Sequence, residues 1–191
     1  IIMSSISAKI AVISKAQPAK KSELLQTICE TMETSKLSRK ETEQLCEAVT
    51  PLIYNESPSI CQAAISTVRK IIESNEYPPN FPKTALIELK KSIGHHKKNP
   101  RNDALNMAND LMSMLTPEVF WEIMFDAINE KNHYTRESTL ILFNQAVINF
   151  PNFKVKKYLK PIFAIFKDSN DILRVHALNI TRALYQRNPG D

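Results

Sequence analysis

Glycine is almost absent from this chain: Gly94 and Gly190 are the only two among 191 residues. The hairpins of β-sandwiches and the phosphate-binding loops of dinucleotide-binding folds depend on glycine for their backbone conformations. The scarcity of glycine therefore argues against both classes. The eleven prolines lie mostly at the starts of predicted helices or in connections, where a missing N–H is tolerated. The composition favours an all-α protein.

Cysteine is also scarce, and Cys29, Cys46 and Cys61 show no C-x-x-C spacing. All three fall within predicted helices, so we interpret them as reduced packing residues rather than a metal or redox site. The adjacent residues His95 and His96 belong to no His/Cys/Asp cluster that could complete four metal ligands. We interpret them as polar turn residues and expect neither a metal nor a cofactor.

The sequence contains no G-x-S-x-G, P-loop or H-E-x-x-H motif, so we predict a protein that is not an enzyme. No apolar run approaches the length needed to span a bilayer, which predicts a cytoplasmic protein with no membrane contact. The net charge of +5 suits an acidic protein partner. Binding to nucleic acid is disfavoured because basic residues do not alternate with aromatic residues along successive helices.

Five units recur along the chain, each with a turn that leads into an amphipathic helix. The turns start near residues 17, 57, 99, 132 and 170, so their spacing is 33 to 42 residues. The last two units carry Arg136 and Arg174 in matching places, each followed four residues later by a leucine, Leu140 or Leu178. A repeat of this length with two helices and no strand signal predicts an α-solenoid.

The predicted solenoid contains five HEAT-like antiparallel helix pairs within a single domain of residues 1–191. The repeats are predicted to span residues 4–34, 38–74, 82–115, 116–150 and 152–188. Three residues are predicted to cap helices: Ser38, which has capping-box spacing to a glutamate, Thr116, which precedes Pro-Glu, and Asn152. Pro51 is predicted to bend the end of the third helix.

The inward faces of four helices follow from apolar residues spaced three or four positions apart. The predicted inward positions are Ile60, Ala64, Val68 and Ile71; Leu140, Phe143, Val147 and Phe150; Tyr158, Ile162 and Phe166; and Leu173, Ala177, Ile180 and Leu184. Each helix pair leaves an apolar face that only a neighbouring pair can cover, so the pairs must stack. Stacking would align the short turns inside the pairs, of which four out of five contain lysine. These intra-repeat turns are the best candidate for a functional surface.

The later repeats resemble a known family. The stretch K-D-S-N-D-I-L-R of residues 167–174, followed by Ala177, resembles the core motif of HEAT repeats. Residues 97–186 as a whole resemble the later repeats of a TOG domain from the microtubule-polymerase and CLASP type of protein. The matching stretches are K-K-N-P at residues 97–100, K-N-x-x-x-R at residues 131–136, L-K-P at residues 159–161 and D-S-N-x-x-x-R at residues 168–174.

This resemblance implies a specific partner and site. TOG domains bind curved αβ-tubulin through their intra-repeat turns, so the resemblance implies that this chain engages αβ-tubulin or microtubule ends and regulates microtubule dynamics. By position, the tubulin contacts would be Lys97, Lys98, Arg101, Lys131, Asn132, Lys167, Asn170 and Arg174. The first turn of a tubulin-binding TOG domain usually carries a tryptophan, and here Gln17 and Pro18 hold that place. The implied location is the cytoplasmic cytoskeleton, at microtubules of the centrosome, spindle or cilium.

The residues leave a second interpretation open. A HEAT-repeat scaffold or adaptor would bind a different protein, and would do so along its helical face rather than through the turns. In that case Lys97 and Lys98 belong to a solvated turn. Arg136 and Arg174 would then tie adjacent repeats together by hydrogen bonds, which is a common use of arginine at this position of a HEAT repeat.

Overall fold

Every element of secondary structure in the described part of the chain is helical. The structure is a computed structural model that describes residues 5–188. These residues form ten α-helices and no strand. The helices are α1 Ser5–Val12, α2 Pro18–Thr34, α3 Arg39–Val49, α4 Pro58–Ser74, α5 Phe81–Ser92, α6 Lys98–Leu115, α7 Pro117–Met124, α8 His133–Asn149, α9 Lys156–Ala164 and α10 Asp171–Arg187. The predicted all-α class is confirmed; residue 4, where the first repeat was predicted to begin, lies outside the described residues.

Proline and short polar residues set most of the helix starts. Proline is the first residue of α2, α4 and α7, where its fixed φ is suited to the first turn. The capping box before α3 is present: Ser38 Oγ accepts the Glu41 N–H at 3.2 Å, and Glu41 Oε2 accepts the Ser38 N–H at 2.8 Å. The sequence prediction for this helix start is confirmed.

The first helix of four pairs ends in a 3₁₀ turn just before the chain reverses. These turns are Ile13–Lys15, Thr50–Leu52, Phe125–Asn129 and Ile165–Lys167. In the second of them, Pro51 lacks the N–H that would continue α3, so the predicted bend at Pro51 takes the form of a tightened last turn.

The chain divides into two compact units, residues 1–107 and residues 108–191. In the first unit α2 packs on α4 and α1 packs on α3. The predicted inward face of α4 is confirmed, because Ile60, Ala64, Val68 and Ile71 are all buried. The linker after α4 is fixed by Asn75, whose side chain accepts the Leu37 N–H at 3.1 Å.

The second unit is organised around aromatic rings. α8 packs on α10, and Trp121 of α7 lies 5.0 Å from Phe143 of α8, ring centre to ring centre. Tyr158 of α9 and Phe153 continue the cluster at 5.8 and 6.0 Å from Phe143. Trp121 is fully buried and belongs to the core of this unit. Edge-to-face and tilted arrangements dominate the cluster, as expected from the aromatic quadrupole.

Two of the predicted helix caps are wrong, those at Asn152 and Thr116. α6 begins at Lys98, so Pro100 lies in its first helical turn. Asn152 does not cap α9, which begins at Lys156. Instead, Pro151 and Asn152 form the centre of a β-turn that is closed by the Phe153 N–H on the Phe150 carbonyl at 2.9 Å.

The second wrong cap is Thr116, whose side chain makes no cap hydrogen bond to α7, although the helix begins at Pro117 as predicted. Its backbone has φ 69° and ψ 149°, the only non-glycine residue with positive φ among residues 5–188. This conformation is sparsely populated for a residue with a Cβ atom. The chain therefore enters α7 through a strained residue and through Pro117, not through a hydroxyl cap.

Some predicted inward positions are also corrected. Phe166 is 40% exposed, and Ile165 is buried in its place. The reason is the 3₁₀ turn that follows α9. A 3₁₀ helix repeats every three residues, so the next inward position after Ile162 is Ile165, whereas the spacing of four predicted from an α-helix points to Phe166. Phe150 and Leu184 are half-buried because they lie at or near helix ends.

We predict that replacing Phe143 with alanine will lower the free energy of unfolding by about 3–5 kcal/mol, because its ring is buried among four other aromatic rings. Chemical denaturation measures the change. Phe163→Ala removes the same atoms from a side chain that is 41% exposed and should cost less than about 1 kcal/mol. Leu140→Ala should also cause a large loss of stability, because Leu140 is fully buried. Leu184→Ala should cause a smaller loss, because Leu184 is half-buried. Equal losses for Phe143 and Phe163 would contradict this assignment of the core.

We also predict that the three thiols will react slowly with an alkylating reagent, with Cys29 reacting first. Burial raises the pKa of all three thiols, that of Cys46 to about 12. A raised pKa lowers the thiolate fraction at about pH 8, and the thiolate is the nucleophile. Cys61 is fully buried and Cys29 only half-buried, with its Sγ 3.2 Å from Thr67 Oγ1. Mass spectrometry of the native protein would report the order, and rapid labelling of Cys61 before Cys29 would contradict it.

Candidate functional site

The first intra-repeat turn of the first unit leads into α2 through Gln17 and Pro18. Gln17 is the N-cap residue of α2, yet its side chain makes no cap hydrogen bond, and Pro18 is the first helical residue. Both residues are exposed. The turn offers no large apolar side chain at the place predicted for an anchor.

The third turn carries the basic group of the first unit, which consists of Lys97, Lys98 and Arg101. Lys97 and Lys98 are exposed, and neither forms an ion pair with another described residue. Arg101, in the first turn of α6, reaches back and donates from Nη1 to the His95 carbonyl at 2.6 Å. The backbone that carries the two lysines is therefore held by a guanidinium group, and the lysine ammonium groups extend into solvent.

The second turn lies against the third through His95. His95 Nε2 is 2.9 Å from the Asn55 carbonyl oxygen, and the ring is only 2% exposed. Nearby, Ser92 Oγ donates to the Ile53 carbonyl at 2.6 Å. The second turn also presents Tyr54, which is 43% exposed, next to the exposed Glu56.

In the second unit, lysines occupy both intra-repeat turns. Lys131 lies in the fourth turn and Lys167 ends the 3₁₀ turn that leads into the fifth; both are exposed. Asn132 caps α8 by accepting the Tyr134 N–H at 2.9 Å, and Asn170 caps α10 by accepting the Ile172 N–H at 3.0 Å. The two asparagines therefore have a structural role at helix starts.

A network of charged side chains joins these two turns. Arg136 donates from Nη2 to Asp168 Oδ2 at 2.6 Å and from Nε to the Ile128 carbonyl at 3.1 Å. Arg174 donates to the Asp168 carbonyl at 2.5 Å. The Asn170 N–H, bonded to Asp168 Oδ1 at 2.9 Å, and then Arg136 hold the pKa of Asp168 below its ordinary value. Each of these hydrogen bonds favours the ionised carboxylate.

The predicted site residues thus fall into two groups. Gln17, Pro18, Lys97, Lys98, Lys131 and Lys167 have exposed side chains that are available to a partner. Arg101, Asn132, Asn170 and Arg174 hydrogen-bond backbone groups of their own turns or helix starts. Lys97, Lys98 and Arg101 lie at one turn of the first unit. In the second unit the Arg136–Asp168 pair joins the turn that carries Lys131 to the turn that carries Lys167.

Sequence reasoning misses two residues of these turns. The sequence indicates a polar turn residue at His95, but its ring is buried and both of its nitrogens have partners. One signal is available: the spacing from His95 to Arg101 equals that from Asp168 to Arg174, six residues in each case. Tyr54 is also missed as a site residue, although it lies at the second turn and is 43% exposed. An exposed aromatic side chain on a fixed turn is a typical anchor for a partner.

Among residues 5–188, no group of three or more His, Cys, Asp or Glu side chains is arranged to hold a metal ion. Over the same residues, none of the helices has both the length and the apolar character that crossing a bilayer requires.

The chain matches no protein-family model and no curated protein. Its fold nevertheless has clear counterparts among solved structures. The MAST/Orbit N-terminal domain matches with a TM-score of 0.83 and 19% sequence identity, covering 97% of this chain and 85% of that chain. A crescerin structure, described as using a TOG domain array to regulate microtubules in the primary cilium, matches with a TM-score of 0.75 and 12% identity over 98% and 78% of the two chains. The chain therefore has the TOG-type fold of helical repeats.

We predict that Asp168→Ala will lower the free energy of unfolding by about 1–3 kcal/mol near neutral pH, because it leaves Arg136 and the Asn170 N–H without their acceptor. Since the folded-state pKa of Asp168 is depressed, its contribution is present above the pKa of the unfolded chain and is lost as the pH falls through the folded-state pKa. The difference in free energy of unfolding between the parent protein and the Asp168→Ala variant should therefore become smaller in acid.

Asp168→Asn serves as the matched control for this prediction. The asparagine keeps an oxygen for the Asn170 N–H and removes only the charge that faces Arg136. It should cost less than the alanine variant. Denaturation curves at several pH values measure both effects, and a pH-independent difference between the parent and the Asp168→Ala variant would contradict the assignment.

Proposed function

We propose that this protein is a non-catalytic binding module that engages αβ-tubulin or microtubule ends through its intra-repeat turns. The observation that carries the proposal is the presence of exposed lysines on turns whose backbones are fixed by buried or half-buried side chains. Lys97 and Lys98 follow the turn that His95 and Arg101 hold, and Lys131 and Lys167 flank the Arg136–Asp168 pair. A partner with an acidic surface meets charges that are already in position.

Fixed positions matter because long cationic side chains on mobile loops lose much of their attraction to ordering entropy. The four lysines make no ion pair with a described residue, so no internal carboxylate competes with a partner. Exposed charges of this kind steer association and contribute at the rim of an interface. Tyr54 adds an apolar contact of the kind that the first turn, with Gln17 and Pro18, does not supply.

The likeness to TOG-type structures supports the choice of tubulin among acidic partners. The crescerin structure is described as a TOG array that regulates microtubules, and the fold of the present chain matches it over nearly its whole length. On this proposal the protein acts at microtubules of the cytoskeleton, in the cytoplasm, and modulates their dynamics. It needs no cofactor for this activity.

A scaffold that binds another protein along a helical face is the second candidate, and one observation favours it. Ile172, Val175 and Leu178 are spaced three residues apart on α10 and are 51%, 55% and 40% exposed, and Tyr185 is 66% exposed. Residues at such spacing lie on one face of a helix. An apolar helical face is a typical surface for docking another helix.

We predict that changing Lys97, Lys98, Lys131 and Lys167 together to glutamate will abolish tubulin binding and leave the fold intact. The four side chains are exposed and lie outside both cores, so the unfolding curve should change little. Binding of the unmodified protein should weaken steeply with added salt, because these attractions are screened over about 8–10 Å near physiological ionic strength. Co-elution with tubulin on size exclusion and a direct binding titration measure the effect.

The matched control changes Lys36, Lys83, Lys154 and Lys156 to glutamate. These four lysines are also exposed, and the change in net charge is identical, but they lie in or next to the connections between repeats. The control should retain most of the affinity. If the variant with glutamate at the four turn lysines still binds tubulin, the binding site does not lie on the turns. If the unmodified protein does not bind tubulin at low salt, the scaffold function is favoured.

A further inference from the structure

His95 and Asp168 occupy equivalent places in two different turns. Each lies two residues before the residue whose backbone N–H it accepts: Lys97 N–H to His95 Nδ1 at 3.0 Å, and Asn170 N–H to Asp168 Oδ1 at 2.9 Å. Each also has its own carbonyl oxygen bonded by an arginine six residues later, Arg101 or Arg174. The two turns therefore share the same pattern of hydrogen bonds between side chains and backbone.

The equivalence has a simple chemical basis. Nδ1 of histidine is attached to Cγ, as Oδ1 is in aspartate and asparagine, so the ring nitrogen can replace the oxygen in an Asx turn. The second turn shows the ordinary form, in which Asn55 Oδ1 accepts the Ser57 N–H at 2.9 Å. His95 makes the same turn with a nitrogen acceptor.

Only one form of the imidazole ring can make these contacts. The Lys97 N–H is a donor, so Nδ1 must carry a lone pair and no proton. The Asn55 carbonyl is an acceptor, so Nε2 must carry the proton and donate it at 2.9 Å. The ring is therefore neutral and in the Nε2–H tautomer, and both of its nitrogens are used.

The contact to the preceding repeat is reversed between the two turns. Asp168 accepts a hydrogen bond there, from the Arg136 guanidinium at 2.6 Å. His95 donates one, to the Asn55 carbonyl. The first unit thus joins its second and third turns through a neutral ring and a backbone oxygen, whereas the second unit joins its turns through an ion pair.

We propose that His95 is the positioning residue for the basic group formed by Lys97, Lys98 and Arg101. It fixes the Lys97 backbone through Nδ1, ties it to the second turn through Nε2, and offers its carbonyl to Arg101. Its ring is 2% exposed, so it acts through these neighbours and does not touch a partner. The consequence for affinity rests on the proposed function, whereas the hydrogen-bond arrangement does not.

Long-range ¹H–¹⁵N NMR of the imidazole rings in the unmodified protein tests the arrangement directly. The expected spectrum shows His95 with a protonated Nε2 and an unprotonated Nδ1. A protonated Nδ1 at neutral pH would overturn the proposal, because the Lys97 N–H would then face another donor. His96, which is exposed and stacks on His95 at 4.6 Å between ring centres, gives an internal comparison in the same spectrum.

Three variants separate hydrogen bonding from packing. His95→Phe keeps an aromatic ring but removes both nitrogens, and should speed exchange of the Lys97 amide about tenfold, the factor implied by loss of one net hydrogen bond. His95→Asn restores an acceptor at the Cγ position and should return that exchange rate to near the parent value. His96→Asn should change nothing. Equal exchange rates in the parent and the His95→Phe variant would overturn the proposal.

The same variants can be tested for tubulin binding. His95→Phe should weaken binding several-fold, as the lysines lose their fixed backbone, and His95→Asn should recover part of the loss. If the parent protein does not bind tubulin, the proposed function is wrong. The NMR measurement then still tests the hydrogen bonds of His95, because it does not depend on tubulin. If the parent binds and His95→Phe binds equally well despite faster exchange at Lys97, the positioning role is refuted.

Discussion

The start of each second helix is the constraint on which these turns depend. A helix begins with backbone N–H groups that have no partner inside the helix, and these groups need acceptors from elsewhere. In the second, third and fifth turns a side chain two residues upstream accepts one of these N–H groups. Asparagine, histidine and aspartate all perform this task here, so the requirement is for an acceptor on Cγ rather than for one residue type.

The same hydrogen bonds at the helix starts determine which basic side chains are available to a partner. Because Arg101 and Arg174 are used on backbone carbonyls, the nearby lysines are the side chains left to extend into solvent. Arginine suits the first task, since its planar group donates in several fixed directions, whereas the lysine ammonium is a compact, strongly hydrated charge. This difference between the two basic residue types explains why some predicted site residues are exposed and others are structural.

The sequence predicts helix starts well where the signal consists of a few neighbouring residues. The capping box at Ser38 and the prolines that open α2 and α4 can be recognised from the sequence because each depends on residues only a few positions apart. The assignment of Phe166 to the core is wrong because a change from α to 3₁₀ geometry is not visible in the apolar spacing. The assignment of Asn152 as a cap is wrong because the same residue type also favours the β-turn that it occupies.

The candidate site is only partly predictable for a related reason. The exposed lysines can be placed on turns from the repeat period alone. The role of His95 depends on Asn55, forty residues away, and a contact between repeats leaves no short-range pattern. The sequence indicates only a polar turn residue at His95, although Nδ1 of the ring can replace the asparagine oxygen as an acceptor.

Thr116 shows how a chain with so few glycines manages a backbone conformation that favours glycine. At φ 69° and ψ 149° a β-branched residue stores strain on the order of 1–3 kcal/mol. Glycine would relieve that strain, but it would also raise the conformational entropy of the unfolded chain, which lowers the free energy of unfolding by about 0.4–1 kcal/mol. If the strain is near the low end of its range the two effects nearly cancel, and if it is near the high end glycine is the more stable residue. The connection before α7 is therefore a place where thermostability can be gained without altering a single core contact.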